Sequence, residues 1–571
     1  MSLTARLLSV AAVLTSWAFT ASADLVSPYG GETAPNFVEI DVFADRVKVT
    51  LEIDPADYPF FVGPDNGSGR SLSERTGDSL VVAADGVPLA PTSRVVDLRA
   101  RMPRVTAATP VVPPRPRSAQ VVYAELEFPF AGRPETFSFT PPIDDRGMPT
   151  VSLGALVQHL GVPVTDYRYL SRTETMVPDW TDPWFSSFEN PNLTRHHKSP
   201  LMSFMSMEPR EVRHEIIFRL RDLERWVDVG LGEAASLGPA QMAEVAPRAA
   251  AFFRDRNPVV IDGERTTPDD IRVSRIAVGP EGLRVLDDTE ISDRATALLG
   301  VVLSYPRESL AQEVEMTWEL FPEGVSTVPV TLTDPTGGVP SRVRADDPVV
   351  RWTNYLTDWN EPHSQPITVS TATVVSLPIF AVALGLGALV AAWSALRRRG
   401  KGRFVFLGGA TTALVAAVLA APMTSRIALP GQPEPDALAA QQLMSGLLDN
   451  VGTAMLETRP DGFAEALTPF VPSDRVAEVA AELRRGLSVT LPSGALARTD
   501  EIVDLEVEQI NAASDGSGNQ ILATWTAAMS GGHWGHQHRR LVTYRGLVDV
   551  SRQADRWYLD GLTILSAQMK T

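Results

Sequence analysis

The chain has no cysteine in 571 residues, which excludes disulfides, thiolate metal sites and thiol nucleophiles. It also lacks a basic surplus. Asp and Glu number 69 against 51 Lys and Arg, a net charge of −18, which argues against nucleic acid or an anionic lipid surface as partner. No G-x-S-x-G, Walker-type loop, H-E-x-x-H, dinucleotide fingerprint or EF-hand loop occurs. The acid pairs Asp144-Asp145, Asp269-Asp270 and Asp287-Asp288 lie in turn-like sequence and read as solvated turn residues.

Charge is also missing from two apolar stretches, Ser364–Trp393 and Phe404–Met423. About 20 apolar helical residues cross a hydrocarbon core, so both are long enough. Arg397, Arg398, Arg399, Lys401 and Arg403 lie between them, and short basic loops stay cytoplasmic. The sequence therefore predicts transmembrane helices over 364–396 and 404–425 around a cytoplasmic turn, 397–403. Residues 24–362 and 426–571 are then exported. Pro378 is placed to kink the first span, and Gly385, Gly408 and Gly409 suit close helix packing. Neither span holds an ionisable residue, as a transporter working alone would need. At the N-terminus, Arg6, the apolar Leu7–Phe19 and Ala21-Ser22-Ala23 read as a secretory signal peptide over 1–23. With no cysteine, the expected place is a bacterial inner membrane, both large domains periplasmic.

The exported N-terminal part contains matched landmarks. Val47–Ile53 alternates as a half-buried strand and is followed by Asp57-Tyr58; Val212–Phe218 is followed by Asp222-Leu223 at the same offset. Asp85-Gly86 with Pro91 answers Asp262-Gly263 with Pro268, and Leu126–Pro129 answers Leu303–Pro306. Asp-Gly supplies the positive φ of a tight hairpin. These landmarks predict tandem all-β sandwiches, one within 24–140 and the other, with a linker, within 205–362.

Between them, 141–204 reads as an aromatic-rich connector. Trp180, Trp184, Phe185 and Phe188 either staple the two sandwiches or form a partner-docking patch. His196 and His197, close before Met202, Met205 and Met207, are soft ligands suited to copper, although methionine is also an ordinary core filler.

After the spans, helices are expected at Asp436–Glu457 and Ser473–Arg485. Strands are expected at Glu501–Ile510, Gln520–Met529, Arg540–Val550 and Trp557–Leu565. This α+β order, closed by Asp555-Arg556-Trp557-Tyr558-Leu559, resembles the NTF2-like fold. The resemblance implies helices over one concave sheet, in a family of both enzymes and non-catalytic assembly modules. Within this domain Gly531-Gly532-His533-Trp534-Gly535-His536-Gln537-His538 concentrates imidazoles. His533, His536 and His538 are candidate zinc or copper ligands if a glycine turns the chain; a flat strand with a packed Trp534 is the expected arrangement.

The leading expectation is a non-catalytic, membrane-anchored accessory or assembly subunit whose partners are other membrane or periplasmic proteins. The alternatives are a copper- or zinc-handling protein and an enzyme using His536 or His538 in an NTF2-like pocket.

Overall fold

The computed structural model describes residues 31–570 except 65–68, 103, 105–117, 196–198, 280–281, 370–373, 429–434, 488, 491–495, 514–517 and 535. The expected signal peptide, His196 and His197 lie outside the described residues.

Two β-rich units occupy the N-terminal part. The main sheet of the first runs, neighbour to neighbour, Ser93–Ala100, Gln120–Pro129, Arg46–Ile53, Asn36–Val42, Leu153–His159, Arg168–Tyr169. That of the second runs Asp270–Gly279, Leu298–Pro306, Glu211–Arg219, Met202–Glu208, Thr327–Asp334, Gly337–Arg344, with Gly282–Val285 added at one edge. Each sheet has one parallel pair at the same place: Asn36–Val42 beside Leu153–His159, and Met202–Glu208 beside Thr327–Asp334. The smaller sheets also correspond. Val87–Pro88, Val81–Ala84, Phe137–Thr140 and Glu174–Val177 match Glu264–Thr266, Val259–Ile261, Glu313–Thr317 and Val349–Thr353.

Register agrees in detail. Val47 faces Phe128 as Val212 faces Tyr305. Asp85-Gly86 and Asp262-Gly263 both turn hairpins with positive φ, 47° and 77° in the first, 52° and 83° in the second. Inward-facing Val47, Val49 and Leu51 bury between sheets with Phe137 and Phe139 in the first unit; Val212, Ile216 and Phe218 do so with Val314 and Met316 in the second.

Three sequence expectations need correction. The units are not all-β: each inserts helices between the second main-sheet strand and the Asp-Gly hairpin, Tyr58–Val62 and Leu72–Ser79 in one, Leu220–Leu223 and Pro239–Arg254 in the other. Leu72–Ser79 has no apolar stripe to announce it and is held by a Ser71/Glu74 capping box. Pro239–Arg254 carries an internal Pro247, but Val245, Ala249 and Phe253 still form one buried face. Second, 141–204 is no connector. Leu153–His159 and Glu174–Val177 complete the first unit's two sheets, and Met202–Glu208 already belongs to the second.

Third, the first apolar run is not one helix. The helices are Ile379–Arg397 and Gly402–Ala420, both long and apolar enough to cross a membrane. Pro378 stands at the first helix's N-terminal boundary instead of kinking it. Val374–Leu377 pairs antiparallel with Ser425–Ala428 just beyond the helices, while Ile367 and Val369 are buried in the C-terminal domain. Apolar composition alone does not separate these three environments. Ala388 and Ala395 of one helix and Ala410 and Ala417 of the other are buried at seven-residue spacing. A Cβ built on Gly385, Gly387, Gly408 or Gly409 meets nothing within 4 Å, so alanines close the pair and the glycines do not.

The C-terminal domain starts with helices Ala437–Ala454, Pro460–Leu467 and Val476–Leu487. Long antiparallel strands follow in sequential order: Leu496–Ala512, Asn519–His533, His536–Gln553 and Arg556–Lys570. Leu443, Leu447 and Val451 pack on Trp525 and Tyr544, whose rings stack at 5.6 Å. Trp557 is fully buried; its backbone N–H and indole Nε1 donate to the carbonyls of Ile367 and Val369 at 2.8 and 3.1 Å. The domain thus grips chain from both sides of the helix pair.

Candidate functional site

Burial, charge and domain contact converge where the C-terminal domain meets the two repeats. The hairpin between Asn519–His533 and His536–Gln553 turns at Trp534, whose φ is +44°. Trp534 is buried in a cluster separate from the domain's own core, with Val162 and Trp184 from the first unit and Phe204, Ile217, Ile276 and Leu298 from the second. Its backbone N–H donates to the Glu215 carboxylate. A Cβ on Gly300 would overlap its ring. Elsewhere Arg210, in the turn joining the second unit's first two strands, sits 3.2 Å from Glu457 and 3.3 Å from Glu361 and donates to the Pro362 carbonyl at 2.7 Å.

Beneath Trp534 lies a buried charge layer. Arg213 lies 2.7 Å from Glu215, 2.9 Å from Glu208 and 3.3 Å from Glu211, and Ser304 donates to Glu211. One guanidinium shared by three carboxylates cannot offset the burial of all of them. Burial therefore pushes Glu215 up, against Arg213 and the Trp534 N–H. Nearby, Arg219 bridges Asp222 and Asp182, each at 2.5 Å. Arg195 donates to the Pro163 and Trp184 carbonyls, both at 2.5 Å, and burial lowers its pKa to about 10.

Two buried histidines escaped notice in the sequence because each stands alone there. His159 Nδ1 lies 2.7 Å from Ser186 Oγ and His214 Nε2 lies 2.9 Å from Ser203 Oγ. Burial lowers them to about 4 and about 3, so both are neutral packing groups.

Of the expected docking aromatics, Trp184 and Phe188 are buried. Trp180 is half-buried, donates from Nε1 to the Pro134 carbonyl at 2.9 Å and meets the His159 ring edge-on at 4.6 Å. Phe185 is exposed, at 45 %, beside Arg219. Three of the four rings thus staple the fold instead of facing a partner. Met202, Met205 and Met207 are buried strand residues.

His533, His536 and His538 do not lie along one flat strand. The chain reverses between the first two, with His533 opposite His536 and Gly531 opposite His538. Their side chains are outside the described residues. Among the described residues no group of three His, Asp or Glu could hold a metal ion. A cleft of about 400 Å³ runs between helix Ala437–Ala454 and strand Leu496–Ala512, lined by Gln441, Gln442, Ser445, Asp449 and Asp504. None of the three histidines lines it.

No family model and no curated protein matches the chain. Among solved structures, the intermembrane space region of the chloroplast protein ARC6 matches at 19% identity with a TM-score of 0.17, over 23% of this chain and 97% of that one.

Proposed function

We propose that this chain is a non-catalytic accessory or assembly subunit of a membrane complex in the bacterial envelope, anchored in the inner membrane with both large domains periplasmic. The helix pair carries this reading. Its own packing uses alanines, leaving uncharged outer faces with open space at Gly387, Gly408 and Gly409, where other membrane helices can approach closely. The buried ionisable groups outside the membrane serve packing, as in the Arg213 and Arg219 networks. Helices laid over an antiparallel sheet suit an NTF2-like assembly module in the C-terminal domain. In mild detergent, the tagged chain is expected to co-purify with membrane proteins at fixed stoichiometry. Gly387→Leu with Gly408→Leu should abolish this without unfolding the chain. A lone chain, indifferent to both substitutions, would sink the proposal.

A zinc- or copper-handling role is the second reading, favoured by the hairpin register that sets His533 opposite His536, two residues from His538. Stoichiometric metal in the purified chain, lost with His536→Ala and His538→Ala, would put this reading first.

A further inference from the structure

We propose that the hairpin tip at Trp534 is a latch and that the outer face of the second repeat's main sheet is its dedicated socket. Engaged, the latch holds the C-terminal domain across the seam between the repeats.

The duplication supplies an internal comparison. Phe204, Ile217, Ile276 and Leu298 of the second repeat correspond by register to Glu39, Glu52, Arg99 and Val121 of the first. Gly300 corresponds to Tyr123, whose hydroxyl donates to Glu125 at 2.9 Å and whose ring lies 3.8 Å from the Arg99 guanidinium. At these matched positions the first repeat is mostly polar and the second is apolar, with a side chain removed where the Trp534 ring lies; the buried Glu215 and Arg213 flank the apolar positions on the same strand face. The shared fold does not demand that difference, since strand order, register and turn chemistry are common to both copies. The occupant does.

Trp534 bears the complementary marks. A bulky residue in the left-handed region is strained, and two-residue hairpin turns favour Asn, Asp or Gly there. The strained ring seats where Gly300 clears space, and the buried Glu215 carboxylate accepts its backbone N–H. The domain behind the hairpin has a separate core. Contact at the tip is therefore distinct from the folding of either side.

Because the chain has no cysteine, one introduced thiol reports one place. Ile276 is 2% exposed in the socket, and Val301 is fully buried in the inner core of the same sheet. Full-length chain carrying Ile276→Cys or Val301→Cys, each with and without Trp534→Ala, is treated with a water-soluble maleimide. With Trp534 in place, both thiols should be protected. Trp534→Ala should speed labelling at position 276 about tenfold or more while position 301 stays protected. Gly300→Leu, which fills the seat from the other side, should do the same. Unchanged protection at 276 in both variants overturns the latch. An equal rise at 276 and 301 also overturns it, because Trp534 would then belong to one cooperative fold.

Discussion

The backbone N–H of Trp534 donates to the carboxylate of Glu215, 319 residues earlier in the chain. The same carboxylate accepts from Arg213 Nε at 2.7 Å. Glu215 therefore joins a buried ion network inside the second repeat to the tip of a hairpin from another domain.

Substitution at Glu215 separates the acceptor from the charge. Glu215→Ala strands a buried N–H and removes one of three carboxylates around Arg213, which should cost about 2–3 kcal/mol. Glu215→Gln keeps an oxygen for the Trp534 N–H, and Glu208 and Glu211 still pair with Arg213. It should cost about 1 kcal/mol or less. Urea unfolding of the two variants gives the comparison. Equal losses would mean that charge, not the acceptor, holds the tip.

The twin Asp-Gly turns make a second prediction. Asp85 Oδ1 accepts the Thr136 N–H at 2.9 Å, and Asp262 Oδ1 accepts the Glu313 N–H at 3.0 Å. Each aspartate also donates its own N–H to that same residue's carbonyl, at 3.0 and 2.9 Å. The turn residues thus anchor the neighbouring strand as well as reversing the chain. Asp85→Ala and Asp262→Ala should each cost about 1–2 kcal/mol, and Gly86→Ala and Gly263→Ala about 1 kcal/mol or more because φ is positive. Similar losses at the two places, read by thermal unfolding, are expected. A loss at only one would show that the repeats do not use their turns alike.

The duplication was legible because its marks are local: Asp-Gly, an alternating strand, an aromatic before proline. What joined the pieces was not. The parallel pairing of Asn36–Val42 with Leu153–His159 spans over a hundred residues and leaves no periodic trace, so 141–204 looked like a connector. Ser364–Leu377 read as the start of a membrane helix because strand, buried segment and span share an apolar composition. The histidine cluster drew attention by its imidazoles, whereas the described contact is made by the tryptophan among them. Gly300 and Glu215 had no sequence mark at all, since a cleared space and a buried acceptor exist only against their occupant.

Acid should weaken the fold through two histidines. Burial lowers His159 to about 4 and His214 to about 3, from an ordinary 6.5. Between 6.5 and those values the unfolded chain binds the extra protons, so their contribution is complete above about pH 6.5 and declines as pH falls toward 3–4. Asp41 runs the other way. Burial and then Glu39 raise it to about 6 from 3.8, and its contribution is lost as pH rises through that window. Glu215, Asp449 and Asp560, also raised by burial, act in the same direction as Asp41, so the histidine share is read by comparing variants. From pH 7 to 4.5 the histidines should make the melting temperature of the full chain fall more, or rise less, than that of a chain without them. A chain with both His159→Gln and His214→Gln should be weaker at pH 7, by a margin that shrinks as pH falls. An unchanged slope would place the proton uptake elsewhere.

The last prediction concerns orientation. Arg397, Arg398, Arg399, Lys401 and Arg403 cluster where the two membrane-length helices meet. Arg397 lies 3.8 Å over the Trp393 ring and Arg398 4.3 Å over Phe406, so two of the cations rest on aromatic residues near the helix ends. Short basic loops resist translocation. A reporter fused after Arg399 should behave as cytoplasmic, and reporters near Pro362 and after Pro430 as exported. Replacing the five cations with Gln should mix the orientations, because no other short segment beside the helices carries comparable positive charge. A cytoplasmic reporter after Pro430 in the unaltered chain would place the two outer bodies on opposite sides of the bilayer. That outcome would be incompatible with the Trp534–Glu215 contact, so the fusion tests the topology and the latch together.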